Sequence, residues 1–249
     1  MKKIFLYILA GSLCFSACKK DDEVETYVEP EDIAVQNNYD DQAIQKYLTE
    51  HYLDSQGNIK AFSSTDPADD NETKLSAMSP ITLPSGVVYI IRNGAQPDPG
   101  TTIGATDITR IMMRSQTALA ADNDGNVTFI SYADFFNTID GTGSPVIDPK
   151  FYYIDDEGST KDPLIEDAKT DAAKQASFYE IEGFSEALQK YKAFNKADDE
   201  NYNLQGVILV PSRAAFARDA HYNYSGYSFR NRTFIFNFQV YKTEARPLN

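Results

Sequence analysis

The stretch from Phe178 to Phe194, FYEIEGFSEALQKYKAF, constrains the fold of this chain more than any other segment. A short apolar strand end is predicted before Glu182 and Gly183, and an amphipathic helix follows them. The apolar residues of this helix recur at the spacing of one helical face: Phe184, Ala187, Leu188, Tyr191 and Phe194. The pattern predicts a helix with a buried face that other elements must cover.

Two segments that follow this helix predict strands. Residues 207–210 and 233–241 are rich in β-branched and aromatic residues, and Gly, Pro, Ser and Asn bound them. A single helix flanked by long strands favours a curved antiparallel sheet that wraps over the helix.

Three short motifs in this region suggest a family. They are Ile181-Glu-Gly-Phe184, Pro211-Ser-Arg-Ala-Ala-Phe-Ala217 and Thr233-Phe-Ile-Phe-Asn-Phe-Gln-Val240. In order, spacing and residue type they resemble Val-Ile-x-Gly-Trp, Pro-x-x-x-Ala-Tyr-Gly and Thr-Leu-x-Phe-x-Val-x-Leu of FKBP-type peptidyl-prolyl isomerases. The resemblance implies an α+β fold: a curved antiparallel sheet of five or six strands wrapped over a central helix, here with an extra N-terminal helix.

The resemblance also implies a binding site for proline-containing polypeptides. Phe184 corresponds to the floor of the family pocket, Ile181 and Phe236 correspond to its walls, and Phe216 takes the place of a hydrogen-bond donor. The loop before the last strand places Tyr227 near the rim. The competing interpretation of Ile181, Phe184 and Phe236 is ordinary hydrophobic core.

Prolyl isomerisation fits a chain without other recognisable chemistry. The two histidines, His51 and His221, lie far apart in sequence, and no metal-binding, nucleophile or Gly-rich phosphate motif is present, so we expect neither a metal nor a cofactor. An isomerase lowers a torsional barrier of about 18–20 kcal/mol that arises from amide resonance. An apolar pocket favours the twisted amide because twisting reduces its charge separation.

Departures from the family pattern leave two functions open. Phe216 lacks the hydroxyl of the family Tyr, a second family Tyr falls at Arg114 or Ser115, and the family Asp aligns with Ile130. The first function is an FKBP-type isomerase that assists folding of exported proteins in the cell envelope. The second is a catalytically degenerate FKBP-like binding module or envelope chaperone.

The N-terminus has the layout of a bacterial secretory signal peptide. Lys2 and Lys3 precede an apolar run over residues 4–13, and Ser-Ala-Cys18 resembles the lipobox of bacterial lipoproteins. We expect residues 1–17 to be removed and Cys18 to carry lipid; an ordinary secreted protein is the alternative. Residues 19–23 resemble the export signal of Bacteroidetes surface lipoproteins, and a charged linker is the alternative. The sequence is therefore compatible with either side of the outer membrane, the periplasmic side or the cell surface.

Cysteine usage and charge restrict the partners. Cys14 would leave with the signal peptide and Cys18 would carry lipid, so no disulfide is expected. The formal net charge of the whole chain is −14 at pH 7, and loss of Lys2 and Lys3 makes it more negative. Such a chain repels phosphate backbones, so we expect no nucleic-acid partner. We expect a monomer.

The remaining chain divides into a tether, a helical segment and one domain. Residues 18–38 predict a flexible tether, and residues 39–80 predict a helix and a linker. The helix is expected to be capped by Asp40 and Asp41 and to end near Leu53, and its apolar face is Ala43, Ile44, Tyr47 and Leu48. We expect residues 81–249 to form the FKBP-like domain, with surface insertions at 131–177, including a helix candidate at 161–175, and at 195–205.

Within that domain, residues 86–92 and 106–119 predict strands, and Asp122-Asn-Asp-Gly-Asn126 predicts a hairpin turn into residues 127–130. A calcium loop is the alternative at this turn. With Gly125 as its sixth residue, such a loop would begin at Ala120 and end at Ser131, which lack the required carboxylates.

Overall fold

The structure is a computed structural model that describes residues 27–158, 161–221, 224 and 226–247. The predicted signal peptide and Cys18 lie outside the described residues. Within the described ranges, no helix combines the length and the apolar character that crossing a membrane requires.

Three α-helices, eleven strands and four short 3-10 helices make up the described regular structure. The helices are α1 (Ile33–Glu50), α2 (Pro163–Glu166) and α3 (Glu182–Leu188). The strands are β1 (His51–Leu53), β2 (Ile59–Ala61), β3 (Ile81–Thr82), β4 (Val88–Ile91), β5 (Thr101–Thr102), β6 (Ile108–Asn123), β7 (Asn126–Asn137), β8 (Val146–Ile147), β9 (Lys192–Ala193), β10 (Gly206–Val210) and β11 (Arg232–Glu244).

The central sheet is antiparallel, as predicted. Its strand order is β3-β4-β10-β11-β6-β7, and β8 also pairs with β6. The sheet therefore has seven strands, so the expected count of five or six is too low. The edge strands β3 and β8 contain two residues each, which is too short for a periodic sequence signal.

The predicted hairpin joins β6 to β7. Asn123 pairs with Asn126, which leaves Asp124 and Gly125 as a two-residue loop. Both loop residues have positive φ, at 52° and 83°. This is the conformation for which the Asp-Gly pair is favoured, so the turn prediction is confirmed.

The two faces of the sheet carry two separate cores. Along β11, Phe234, Phe236 and Phe238 point into the core that contains α3, whereas Ile235 points into the core under α1. This alternation follows from the two-residue period of a strand. Helices α1 and α3 therefore cover opposite faces of one sheet.

Helix α1 begins earlier than predicted. Its N-cap is Asp32, whose carboxylate accepts a hydrogen bond from the backbone N–H of Ala34 at 2.8 Å. The predicted cap at Asp40 and Asp41 is wrong, and the predicted tether of residues 18–38 overlaps the first turns of the helix. The apolar face is as predicted: Ala43, Ile44, Tyr47 and Leu48 are buried. The helix ends at Glu50 because the following residues form β1.

Helix α3 is shorter than predicted, and a 3-10 turn at Ala176–Phe178 precedes it instead of a strand end. The helix ends at Leu188 because the residues that follow it form hydrogen bonds with the sheet. The Tyr191 hydroxyl donates to the backbone oxygens of Ile90 and Val207 at 2.8 and 3.1 Å. The next residues form β9, which pairs with β5.

The segment 131–177 is only partly a surface insertion. Its first residues complete β7, and Phe151, Tyr152 and Ile154 are at most 1% exposed. The predicted helix at 161–175 is reduced to the single turn of α2 and a 3-10 turn, because this stretch lacks an apolar stripe that packing could stabilise. The loop at 195–205 exposes Asp199 and Glu200.

A buried carboxylate in the middle of α1 joins this helix to the loop after β10. Asp40 is 0% exposed and accepts hydrogen bonds from Gln36 Nε2 at 2.9 Å and from the backbone N–H of Ser212 at 2.8 Å. Burial raises the pKa of this carboxyl above its ordinary value of 3.8, although the hydrogen bonds oppose that shift.

We expect Asp40→Asn to lower the free energy of unfolding by about 1–3 kcal/mol, since its amide NH₂ would face the Ser212 donors. The loss should depend on pH. A raised folded-state pKa contributes stability that is complete below the unfolded value and is lost as pH rises through the folded pKa. Urea unfolding of both proteins at pH 4 and pH 7 tests this. The gap between wild type and variant should narrow at pH 7; a constant gap would contradict the buried carboxyl's role.

Candidate functional site

Four of the predicted site residues lie in one apolar cluster between α3 and the sheet. Ile181, Phe184 and Phe236 are 0% exposed, and Phe216 is 5% exposed. The ring centroids of Phe184 and Phe236 are 4.2 Å apart. The sequence therefore brings together residues from α3, β11 and the loop after β10.

Local backbone structure explains the position of Phe184. Ile181 is the N-cap of α3, and its backbone N–H donates to Phe151 O at 2.9 Å. Gly183 lets the helix approach the sheet closely. A Cβ at this position would lie 2.7 Å from methyl carbons of Val87 and Val210. The Phe184 ring is consequently pressed against the centre of β11.

Phe216 lies at the other end of the cluster. A 3-10 turn at Ser212–Ala214 leads from β10 to this residue. The Phe216 ring lies 5.9 Å from Phe234, which in turn stacks 6.1 Å from Phe236. The predicted donor position therefore connects to the predicted wall through Phe234.

Tyr227 lies at the edge of the cluster, where the rim was predicted. It is partly buried, its ring is 5.4 Å from Phe229, and its hydroxyl donates to the backbone oxygen of Asp134 at 2.8 Å. The guanidinium of Arg232 lies 5.1 Å from the ring centroid. These contacts hold Tyr227 against strand β7.

Aromatic residues that sequence reasoning missed fill the space over the floor. The Phe151 ring lies 5.5 Å from Phe184, and the Phe135 ring lies 6.0 Å from Phe236. The Tyr224 ring packs 5.5 Å from Phe135, and its hydroxyl donates to the backbone oxygen of Tyr179 at 2.7 Å. The floor and walls are therefore closed to solvent in this structure. The aromatic pairs at 135–136 and 151–152 were the available signal.

The structure also shows where the residues that depart from the family pattern lie. Ser115 lies opposite Phe236, and its hydroxyl donates to Phe136 O at 2.9 Å, whereas Arg114 pairs with Asp140 at 2.6 Å. Ser115 is thus the residue that faces the cluster. Ile130 is not one of the cluster's buried residues.

Burial shifts the pKa of three polar groups around the cluster toward their uncharged forms. Burial raises the pKa of the Tyr224 hydroxyl far above its ordinary value, so this hydroxyl stays protonated. Burial likewise raises the pKa of Glu180, whose carboxylate accepts from the backbone N–H of Ile154 at 2.8 Å. Burial lowers the pKa of His221, which favours the neutral imidazole.

Apolar surroundings with few polar groups can desolvate an amide but cannot hydrolyse one. Across the described ranges, no group of three His, Cys, Asp or Glu side chains could hold a metal ion. The chemistry this arrangement favours is conformational, since stripping water from a peptide bond requires only apolar contact.

Comparison with protein-family profiles finds no match, and comparison with curated protein sequences finds none. Solved structures that resemble the chain are FKBP-family proteins. FkpA from Escherichia coli has a TM-score of 0.37 and 17% identity, over 68% of this chain and 53% of FkpA. The N-terminal domain of FKBP42 from Arabidopsis thaliana has a TM-score of 0.37 and 8% identity, over 76% and 99%. A multi-domain immunophilin from Arabidopsis thaliana has a TM-score of 0.34 and 9% identity, over 66% of this chain and 44% of the immunophilin.

The chain thus spans about half the length of the FkpA structure it resembles. At TM-scores of 0.34–0.37 these structures assign no function to the chain.

Proposed function

We propose that this chain is an FKBP-type peptidyl-prolyl isomerase domain with low turnover that acts on proline-containing polypeptides in the cell envelope. The main support is that four residues lie in one apolar cluster: Ile181, Phe184, Phe216 and Phe236. These four positions come from three separate motifs, and each is the counterpart of a pocket residue in the family that the motifs resemble.

The physical chemistry of the reaction supports this assignment. A prolyl peptide that enters the cluster exchanges water for aromatic surface, and the twisted amide tolerates that exchange better than the planar amide. We expect low turnover because hydrogen-bond donors are missing or already engaged at two positions. Position 216 lacks a hydroxyl, and the Ser115 hydroxyl is engaged by Phe136.

A second function is favoured by a specific observation. Phe184 and Phe236 are 0% exposed beneath Phe135 and Phe151, so a peptide must displace aromatic rings to reach the floor. That cost favours an FKBP-like binding module or envelope chaperone that holds clients without turnover.

Exchange spectroscopy on a short peptide with one Ala-Pro bond separates the two functions. The isomerase proposal expects the cis and trans signals to exchange faster when a small amount of the protein is added. Binding without faster exchange would establish the second function. A peptide in which Ala replaces Pro is the control for unspecific apolar binding.

We further propose that the protein is held at the outer membrane by lipid on Cys18. The support is the charged, apolar and Ser-Ala-Cys order of the leader. The folded part begins close behind it, because Glu29 accepts hydrogen bonds from Arg230 Nε at 2.6 Å and Asn231 Nδ2 at 2.8 Å. The chain between Cys18 and Tyr27 reaches at most about 30 Å when extended, so the domain would stay near the membrane.

Growth with labelled fatty acid tests the anchor. We expect the wild-type protein and Cys14→Ser to incorporate label and Cys18→Ser to remain unlabelled, because only the thiol at position 18 would accept the diacylglyceryl group. Labelled Cys18→Ser would show that the lipobox interpretation is wrong.

A further inference from the structure

His221 is a buried histidine with an unused polar atom beside the candidate site. The residue is 8% exposed, and its ring stacks on Phe216 at a centroid distance of 4.2 Å. The half-buried Phe178 packs against the same imidazole at 4.7 Å. Nε2 is buried and has no hydrogen-bond partner among the residues that the structure describes.

The two nitrogens of the imidazole have different roles in the neutral ring. Burial lowers the His221 pKa, which favours this neutral form, while the backbone of Asp219 opposes that shift. A neutral imidazole carries its proton on one nitrogen, and with the proton on Nδ1 the unpaired Nε2 is a lone-pair acceptor.

An unpaired acceptor in an apolar cluster calls for an explanation, because nearly all buried polar atoms have partners. Packing between aromatic residues explains why the ring is buried, but it does not explain why Nε2 is left without a hydrogen bond. A polypeptide bound next to Phe216 would bring the missing group. Proline has no backbone N–H, but the residues beside it do.

We propose that His221 Nε2 accepts a hydrogen bond from a backbone N–H of the bound polypeptide, next to the proline held by the cluster. This inference rests on the proposed function and identifies a further binding residue of the same site. The ligand chemistry it requires is an extended peptide with a free amide N–H beside its proline.

The affinity of such a site depends on pH in a defined direction. Protonation converts Nε2 from an acceptor into a donor, so peptide binding should weaken as pH falls through the His221 pKa. Burial places that pKa below the ordinary value of 6.5. The charged residue whose field acts on the ring is Asp219, whereas Phe178 and Phe216, which pack against the ring, are uncharged.

Three variants test the proposal with the Ala-Pro peptide as the probe. His221→Leu removes the acceptor and should weaken binding by about five- to tenfold, the factor of one net hydrogen bond. His221→Gln keeps an acceptor near Nε2 and should bind nearly as well, without the loss at acidic pH. Phe62→Leu, far along the chain in the segment after β2, is the control for a change of aromatic to aliphatic side chain.

A measurement on the wild-type protein tests the proposal even if the variants do not fold. The chain has two histidines, so both imidazole ¹⁵N signals can be assigned. Peptide should shift the Nε2 signal of His221 and leave that of His51 unchanged. Wild-type binding that His221→Leu leaves intact, with no His221 shift, would overturn this inference alone. A wild type that binds no Ala-Pro peptide would overturn the proposed function as well.

Discussion

Replacing Phe184 with alanine should lower the free energy of unfolding by about 3–5 kcal/mol and abolish measurable binding of the Ala-Pro peptide. The ring is 0% exposed and packs 4.2 Å from Phe236 and 5.5 Å from Phe151. Its removal leaves a cavity at the floor that neighbouring rings refill only in part. Urea unfolding measures the first effect, and peptide titration at a temperature where the variant is folded measures the second.

Phe129→Ala is the matched control. This ring is 6% exposed and belongs to the core under α1, on the opposite face of the sheet. We expect a comparable loss of stability and unchanged peptide affinity. If Phe129→Ala weakened peptide binding as much as Phe184→Ala does, the effect would be one of general destabilisation, and the cluster would not be the binding site.

Replacing Gly183 with alanine should be the next most disruptive change. Alanine normally stabilises a helix interior by about 0.8–1 kcal/mol relative to glycine. Here the new Cβ would lie 2.7 Å from methyl carbons of Val87 and Val210 and 2.9 Å from the backbone oxygen of Ala214. Overpacking of this kind costs about 1–3 kcal/mol, so α3 should be pushed from the sheet and carry Phe184 with it.

A double-mutant cycle makes this explanation specific. Val210→Ala removes one methyl carbon that the new Cβ would meet, so the combined variant should be less destabilised than the sum of the single changes. Chemical denaturation of all four proteins measures the coupling. Additive effects, or a Gly183→Ala protein more stable than wild type, would show that α3 does not depend on this close approach.

Much of the sheet and the position of Phe184 against it were predictable, because both depend on local pattern. Alternation in β11 places Phe236 on the α3 face, and the Asp-Gly pair marks the turn between β6 and β7. The motif around Gly183 correctly predicted a helix that brings Phe184 to the sheet. Each of these features is encoded within a few residues.

The start of α1 could not be read from such local pattern. Both Asp32 and Asp40 precede apolar residues at helical spacing, so both resemble N-caps. Asp40 is instead held by Ser212, which is 172 positions away in the chain. Only the folded structure shows that this carboxylate lies inside the helix and joins it to the loop leading to Phe216.

The closure of the site was hidden for a related reason. Phe151 and Tyr224 belong to segments without helical or strand periodicity, so sequence pattern could not show where their side chains point. Their rings pack into the cluster through contacts with residues distant in the chain, such as Phe135. The sequence therefore did not show that aromatic rings pack over the predicted floor and walls.

Isomerase activity is best tested by the rate of cis/trans exchange of the Ala-Pro peptide with the wild type and with Phe216→Tyr. The substitution adds only the hydroxyl that position 216 lacks. We expect slow but measurable acceleration by the wild type and a several-fold increase for Phe216→Tyr, since a positioned donor stabilises the reacting amide. If neither folded protein accelerates the exchange, the chain is not a prolyl isomerase.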